Sequence, residues 1–398
     1  MTTTREIPRA RHAWLQGELA GWTAEGLLTA EHAQTITDRY TVASRRSAGA
    51  IMGRVLLWIG GAFLGVGLIW LVAANLEYIS PGIRFAAVVA LWLAFLFAPE
   101  ALAQRGHSRA LVGALRLVGA LAFGAVIFQA AQSMQVPAYE PKLVGLWALG
   151  AIAHAYVVRG ISPLLVGLAT GSIWWFWQPM VEFQSSVVST MLIAFGAILC
   201  FAVAAVHDRQ LPGFARLWRI TATGYTLSAL FVAAMPWIEY DFVTNVWFVV
   251  AGVVSTVAAA VGLFMGSRLE RFEIAGALLL SALAFGLLAW DVPMQDVISS
   301  EQWLHSVCSI IVYVLAAVAL TALGALREDR WISGLGMAGL VVFVTFQSFA
   351  VFGQIITGAW LFLVLGVVLL ATGFLFDRAR RQIASAVREH HHLTEEGA

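Results

Sequence analysis

Runs of about twenty apolar residues recur along this chain, and no other feature limits its fold so strongly. A helix rises ~1.5 Å per residue through a hydrocarbon layer ~30 Å thick, so about 20 apolar residues make one crossing. Twelve runs reach or approach that length: 55–76, 82–99, 110–132, 143–158, 162–180, 186–206, 216–238, 244–266, 272–290, 303–326, 331–351 and 356–376. Short connectors carrying Pro, Gly or charge separate them, as at Ser80-Pro81-Gly82 and Arg327-Glu328-Asp329-Arg330. The runs are continuously apolar rather than alternating, which excludes a membrane β-barrel. The expected fold is all-α, a polytopic transmembrane helical bundle of about twelve spans. The run 143–158 is short and 162–180 ends in a Trp-rich stretch, which leaves one broken hairpin as the alternative for that pair.

Composition agrees with this reading. Hydrophobic residues make up 60% of the chain and charged ones 12%, against about 25% charged in a soluble domain. The 24 basic and 23 acidic side chains nearly cancel, so no net field draws in a nucleic acid and none is expected as a partner. Cys200 and Cys308 both lie in apolar runs, without the spacing of a disulfide framework or a zinc site.

Arginines set the expected orientation. Every second loop or its flank carries them: Arg105 and Arg109, Arg159, then Arg209, Arg216 and Arg219, then Arg268 and Arg271, then Arg327 and Arg330. The alternate loops hold only Arg84 and Lys142 against acids such as Glu77, Glu140, Glu182, Glu239, Asp241, Asp291 and Glu301. Basic short loops stay cytoplasmic, so both termini are expected inside. Most tryptophans fall at the outer ends of runs, Trp174 and Trp177 among them. An aromatic belt at the headgroup level accounts for them, with an aromatic-lined outer pocket as the alternative.

Three domains follow: a cytoplasmic helical module over 1–52, the bundle over 53–376, and a polar cytoplasmic tail over 377–398. No apolar signal core follows the first residues, so the first span is expected to act as an uncleaved anchor. In the module Trp14, Leu19, Trp22 and Ile36 are expected to form a buried seam between helices at 9–25 and 30–48. Thr29, with Glu31 just inside, suits the start of the second. The module can dock a cytoplasmic protein partner, or cap the cytoplasmic loops or membrane surface. In the tail, His390-His391-His392 reads as solvated polar chain rather than a metal ligand.

Three stretches carry a resemblance: Trp22-Thr23-Ala24-Glu25-Gly26-Leu27-Leu28-Thr29-Ala30-Glu31-His32-Ala33, Leu71-Val72-Ala73-Ala74-Asn75, and Phe123-Gly124-Ala125-Val126-Ile127-Phe128-Gln129-Ala130-Ala131-Gln132. Together they make residues 10–180 resemble a family of multi-pass bacterial membrane proteins catalogued as a domain of unknown function. The resemblance implies a bacterial cytoplasmic membrane and brings no activity, substrate or cofactor.

Chemistry is sparse. No phosphate-binding loop, HExxH helix, CxxC pair or nucleophile elbow occurs, so no catalytic residue, cofactor or metal ligand is assigned. Arg116 is expected to snorkel to the inner surface, and His207-Asp208-Arg209 to be a plain loop. Acids sit only in terminal segments, loops or the last turns of spans, which weakens the case for a proton-coupled carrier. Glycines four apart, at Gly61 and Gly65, Gly167 and Gly171, and Gly262 and Gly266, are expected to let helices pack closely. The one candidate site is a polar outer cavity where the amides of Asn75, Gln129, Gln132 and Gln347 meet near Trp174 and Trp177. Two functions follow: transport or handling of a lipid or neutral polar solute, with membrane lipid as partner, or a non-catalytic scaffold or sensor acting through residues 1–52.

Overall fold

The computed structural model describes residues 5–7, 9–42, 48–74, 80–135, 137, 140–235, 241–290, 292, 299–347 and 366–367. The run 356–376 apart from 366–367, the tail 377–398 and Asn75 lie outside the described residues.

A small module opens the chain. Helix α1 (Arg9–Ala24) and helix α2 (Ala30–Thr37) are flanked by two three-residue strands, β1 (Arg5–Ile7) and β2 (Tyr40–Val42). The strands pair in parallel, Arg5 opposite Tyr40, a departure from the expected all-helical pair. Gly26 at φ 76° closes α1 with the Leu27 N–H reaching back to the Trp22 carbonyl and the Gly26 N–H to Thr23, the left-handed stop that a residue without Cβ adopts freely. Thr29 caps α2 by accepting from the His32 N–H at 3.3 Å, as its position suggested. Helix α2 ends at Thr37 rather than near 48, because β2 takes over. The seam expected in the module does not close. Leu19 is buried and Ile36 half-buried, but Trp14 is 59% and Trp22 37% exposed.

Eleven long helices follow among the described residues: α3 (Ala48–Ala74), α4 (Pro81–Gln104), α5 (Arg109–Ser133), α6 (Pro141–Val158), α7 (Ile161–Glu182), α8 (Ser186–His207), α9 (Pro212–Ala233), α10 (Val246–Met265), α11 (Arg268–Ala289), α12 (Ser300–Leu326) and α13 (Arg330–Gln347). Eight of them, α4, α5, α6, α8, α10, α11, α12 and α13, are long and apolar enough to cross a membrane. Helices α6 and α7 are distinct and pack as a hairpin, with Arg159 at φ 48° and Gly160 turning the chain between them.

Contacts at the helix ends sort into two sets. At one end Arg116 meets Glu100, Arg216 meets Asp329, and Arg219 meets Asp208. At the other, the Ser185 hydroxyl donates to Asp241, and the indole N–H of Trp290 donates to Glu301 at 3.2 Å. The first set collects the arginine-bearing turns and is called the arginine end below. Helix α3 runs parallel to α5, since Trp58, Gly61 and Gly65 approach Gly113, Ala114 and Leu121 in that order. Its N-terminus, and with it the module, therefore attaches at the arginine end.

Glycine makes these approaches possible. A methyl group on Gly65 would lie 2.5 Å from Leu121 Cδ1, and one on Gly262 2.5 Å from Ile274 Cδ1. Such close backbones gain dispersion where lipid supplies no hydrophobic drive. Helix α8 is buried along most of its length among α7, α9, α10 and α11. The second-half core includes Tyr313 stacked on Phe343 at 3.8 Å between ring centroids. A smaller core of Leu117, Ala120, Ala151 and Val166 joins α5, α6 and α7. Phe214 of α9 packs with Ala155, Leu164 and Leu168 and links the two halves.

Candidate functional site

Short turns bring five helix ends together at the arginine end. Asp208 caps the C-terminus of α8, and α9 begins four residues later at Pro212. Arg216 and Arg219 are three apart on α9, so they share a face. Glu270 and Glu273 are likewise three apart at the start of α11. Arg327 caps the C-terminus of α12, and Asp329 precedes α13.

Two arginines and two carboxylates close a ring. Arg219 Nε donates to Glu273 Oε2 at 3.0 Å, and its Nη1 to Asp208 Oδ1 at 2.7 Å. Arg327 repeats the pattern on the remaining oxygens, Nε to Glu273 Oε1 at 2.7 Å and Nη1 to Asp208 Oδ2 at 3.3 Å. All four carboxylate oxygens are thus used. The Glu273 side chain is fully buried and that of Arg219 is 5% exposed. Glu270 stands beside the ring. Its Oε2 accepts the Ser267 N–H at 2.6 Å, completing a capping box, while Oε1 lies 3.7 Å from Arg219 Nη2. The Nη2 groups of both ring arginines are buried without a hydrogen-bond partner.

Arg216 forms a flanking pair, Nε to Asp329 Oδ2 at 2.6 Å and Nη2 to Oδ1 at 3.1 Å. Asp329 also accepts the Trp331 N–H, fixing the start of α13. Burial opposes ionisation of Asp329, but the hydrogen bonds from Arg216 and Trp331 outweigh it and hold the carboxyl below its ordinary range. Asp208 behaves alike: burial pushes its carboxyl up, and bonding to Arg219 with the charges of Arg219 and Arg327 pulls it down further. Asp208, Arg216, Arg219, Arg327, Glu328 and Asp329 line a polar cavity of about 420 Å³. Buried ions of this kind are costly to desolvate, and each depends on its partners. The arrangement ties α8, α9, α11, α12 and α13 into one unit.

A second polar group lies in the first half. Arg116 does not snorkel to water: its Nε and Nη2 grip both oxygens of Glu100 at 2.7 and 2.6 Å. A carboxylate at the end of α4 offers a better partner than solvent for a side chain only 17% exposed.

An apolar crevice of about 180 Å³ runs between α6, α7, α8 and α9. Gly145, Ala148 and Ile152 of α6 face Gly171, Trp174 and Trp175 of α7, with Leu199 and Cys200 of α8 and Trp218 and Tyr225 of α9 completing the wall. The polar groups of its two largest walls are already engaged. Trp175 Nε1 donates to the Leu192 carbonyl at 2.8 Å, and the Tyr225 hydroxyl to Ser172 at 3.0 Å.

The amide residues fall elsewhere. Gln129 is 3% and Gln347 4% exposed, whereas Gln132, one helical turn beyond Gln129, faces outward. Helix α5 packs on α3, α4, α6 and α7, and α13 on α9 and α12. Trp174 lines the crevice; Trp177 is half-buried on the same helix and, like the three glutamines, is not in its wall. Gln129 Oε1 and Gln347 Nε2 have no hydrogen-bond partner.

Sequence reasoning missed the ring because it took Asp208 for a loop charge and the α11 acids for a span end. The available signal was acids placed among the arginine-rich turns, at Asp208, Glu270, Glu273 and Asp329.

Fold and site together define a multi-pass helical membrane protein with a charge-locked helix end. Residues 20–164 match the family model described as Predicted membrane protein (DUF2157). The match runs from within α1 to the start of α7, takes in Glu100 and Arg116, and stops short of the ring. Comparison with curated proteins gives no match, and comparison with solved structures gives none either.

Proposed function

We propose that this is a protein of a bacterial cytoplasmic membrane that handles lipid, holding an acyl chain in the crevice between α6 and α9. The observation that carries the reading is the crevice wall, which is mostly glycine, alkyl and aromatic surface and on which the Trp175 indole and the Tyr225 hydroxyl are already bonded. Such a lining favours a hydrocarbon over a neutral polar solute, which needs free donors and acceptors. Twelve spans, with both termini and the arginine end in the cytoplasm, complete the proposal, since arginine-rich short turns stay inside.

The test is native mass spectrometry of the purified chain. Retained lipid is expected on the unaltered protein and should be lost from Leu199→Trp, which fills the crevice, while thermal stability stays within a few degrees. Equal lipid retention by both proteins overturns the reading. The other reading, a scaffold or sensor working through residues 1–52, is favoured by the exposure of Trp14 and Trp22.

A further inference from the structure

Helix α1 carries an exposed stripe that nothing covers among the described residues. Trp14, Glu18, Trp22 and Glu25 follow at intervals of four, four and three, so they lie on one side of the helix, with Trp14, Trp22 and Glu25 exposed and Glu18 half-buried. Leu15, Leu19 and Thr23 occupy the other side, toward α2 and β2. Leu27 extends the stripe, because the turn at Gly26 brings it back over Trp22. Neither Glu18 nor Glu25 forms an ion pair among the described residues.

Three occupants fit an exposed aromatic stripe: lipid, a second protein, or another part of this chain. Glu18 and Glu25 stand on the face between and beside the two indoles, where a lipid-inserted helix needs apolar residues and a cytoplasmic leaflet repels carboxylates. Alternating indole and carboxylate instead suits guanidinium groups, which stack on the first and pair with the second. The arginine end supplies them. Arg105, Arg109, Arg159, Arg209, Arg268, Arg271 and Arg330 are all exposed there.

The tether decides among them. Val42 ends β2 and Ala48 begins α3, so six peptide steps separate the module from the bundle, a reach of roughly 20 Å. Helix α3 lies parallel to α5, with Trp58 and Gly61 level with Gly113 and Ala114. Arg109, the first residue of α5, is therefore level with about position 54 of α3, and Ala48 stands roughly 9 Å further out, past Arg109 and Arg105, which closes α4, a distance within the reach of the tether. Short tethers of this kind hold two surfaces together at millimolar effective concentration.

We propose that the Trp14–Glu18–Trp22–Glu25 face of the module docks on Arg105 and Arg109 of its own bundle, capping the arginine end. The contact is charge-assisted and exposed to salt, so it opens readily and can respond to a competing anion.

The test uses the full chain in lipid nanodiscs, with Cys200→Ala and Cys308→Ala and spin labels at Gln16→Cys and His107→Cys. A narrow inter-label distance distribution is expected, broadened several-fold by Glu18→Arg with Glu25→Arg and narrowed again by adding Arg105→Glu with Arg109→Glu. If the reversal variant does not fold, Glu18→Gln with Glu25→Gln must give the broadening. A broad distribution in the unaltered chain overturns the proposal. So does a narrow one indifferent to these charges, which would point to lipid or a fixed packing contact.

Discussion

Arg219 of α9 and Arg327, which caps α12, lie 108 positions apart by number and bind opposite oxygens of the same two carboxylates, Glu273 and Asp208. Each arginine holds each acid, so losing one side chain leaves two oxygens without their donors.

Glu273→Gln should therefore be severe. The amide keeps the shape but removes the buried negative charge between two guanidinium groups. Breaking one member of a buried ion pair costs about 3–5 kcal/mol. Thermal unfolding in detergent should show a drop of several degrees or more, and Asp208→Asn a smaller one because Asp208 is less buried. Unchanged melting of Glu273→Gln would mean that the ring does not join these helix ends.

Acid should loosen the same end. Asp208 and Asp329 are held below the ordinary carboxylate range. Their stabilisation is complete above the unfolded value near pH 4 and is lost as pH falls through the folded values. Between pH 5 and 8 these two groups should contribute no slope. Below about pH 4 stability should fall, and Asp329→Asn should flatten part of that fall. A flat melting profile down to pH 3 would exclude the linkage.

Close packing separates two glycines that look alike in sequence. A methyl on Gly119 would sit 2.7 Å from the Phe95 carbonyl oxygen, a backbone atom that cannot turn aside. On Gly113 it would meet Trp58 at 3.7 Å, an ordinary contact. Gly119→Ala should cost about 1–3 kcal/mol by forcing α4 from α5, and Gly113→Ala should be tolerated. Equal melting temperatures for the two variants would contradict this packing.

These cases show where the sequence is informative. Helix lengths, and the grouping of Arg216, Arg219, Arg268 and Arg327 at one end, follow from runs and turns that any reader can count. Which acids serve those arginines does not, because Glu273 and Arg327 meet only once α9, α11 and α12 have packed. The amides show what spacing leaves open. Gln129 and Gln132 share a helical face by spacing, yet one is buried and the other exposed, since the edge of the neighbouring helices falls between them. Trp14 and Trp22 recur with Leu15 and Leu19 at helical spacing, which predicts one buried seam, yet helix α1 turns Leu15 and Leu19 inward and leaves both indoles exposed.

Gln129 offers the sharpest remaining test of whether a polar residue here serves function or packing. Its side chain is 3% exposed and Oε1 has no donor. A buried carbonyl without a partner costs about 1–3 kcal/mol relative to its hydrated state. Leucine has similar bulk and removes that cost, so Gln129→Leu should match or exceed the unaltered protein in thermal stability. Gln132→Leu, on the exposed side of the same turn, should change it by no more than about 0.5 kcal/mol. Lipid retention should survive both substitutions, because neither residue lines the crevice between α6 and α9. Loss of stability in Gln129→Leu would mean that the amide is satisfied after all, through a contact worth about 0.6 kcal/mol or more between helices. Loss of retained lipid with stability intact would instead place Gln129 in a ligand site and return the outer amides to consideration.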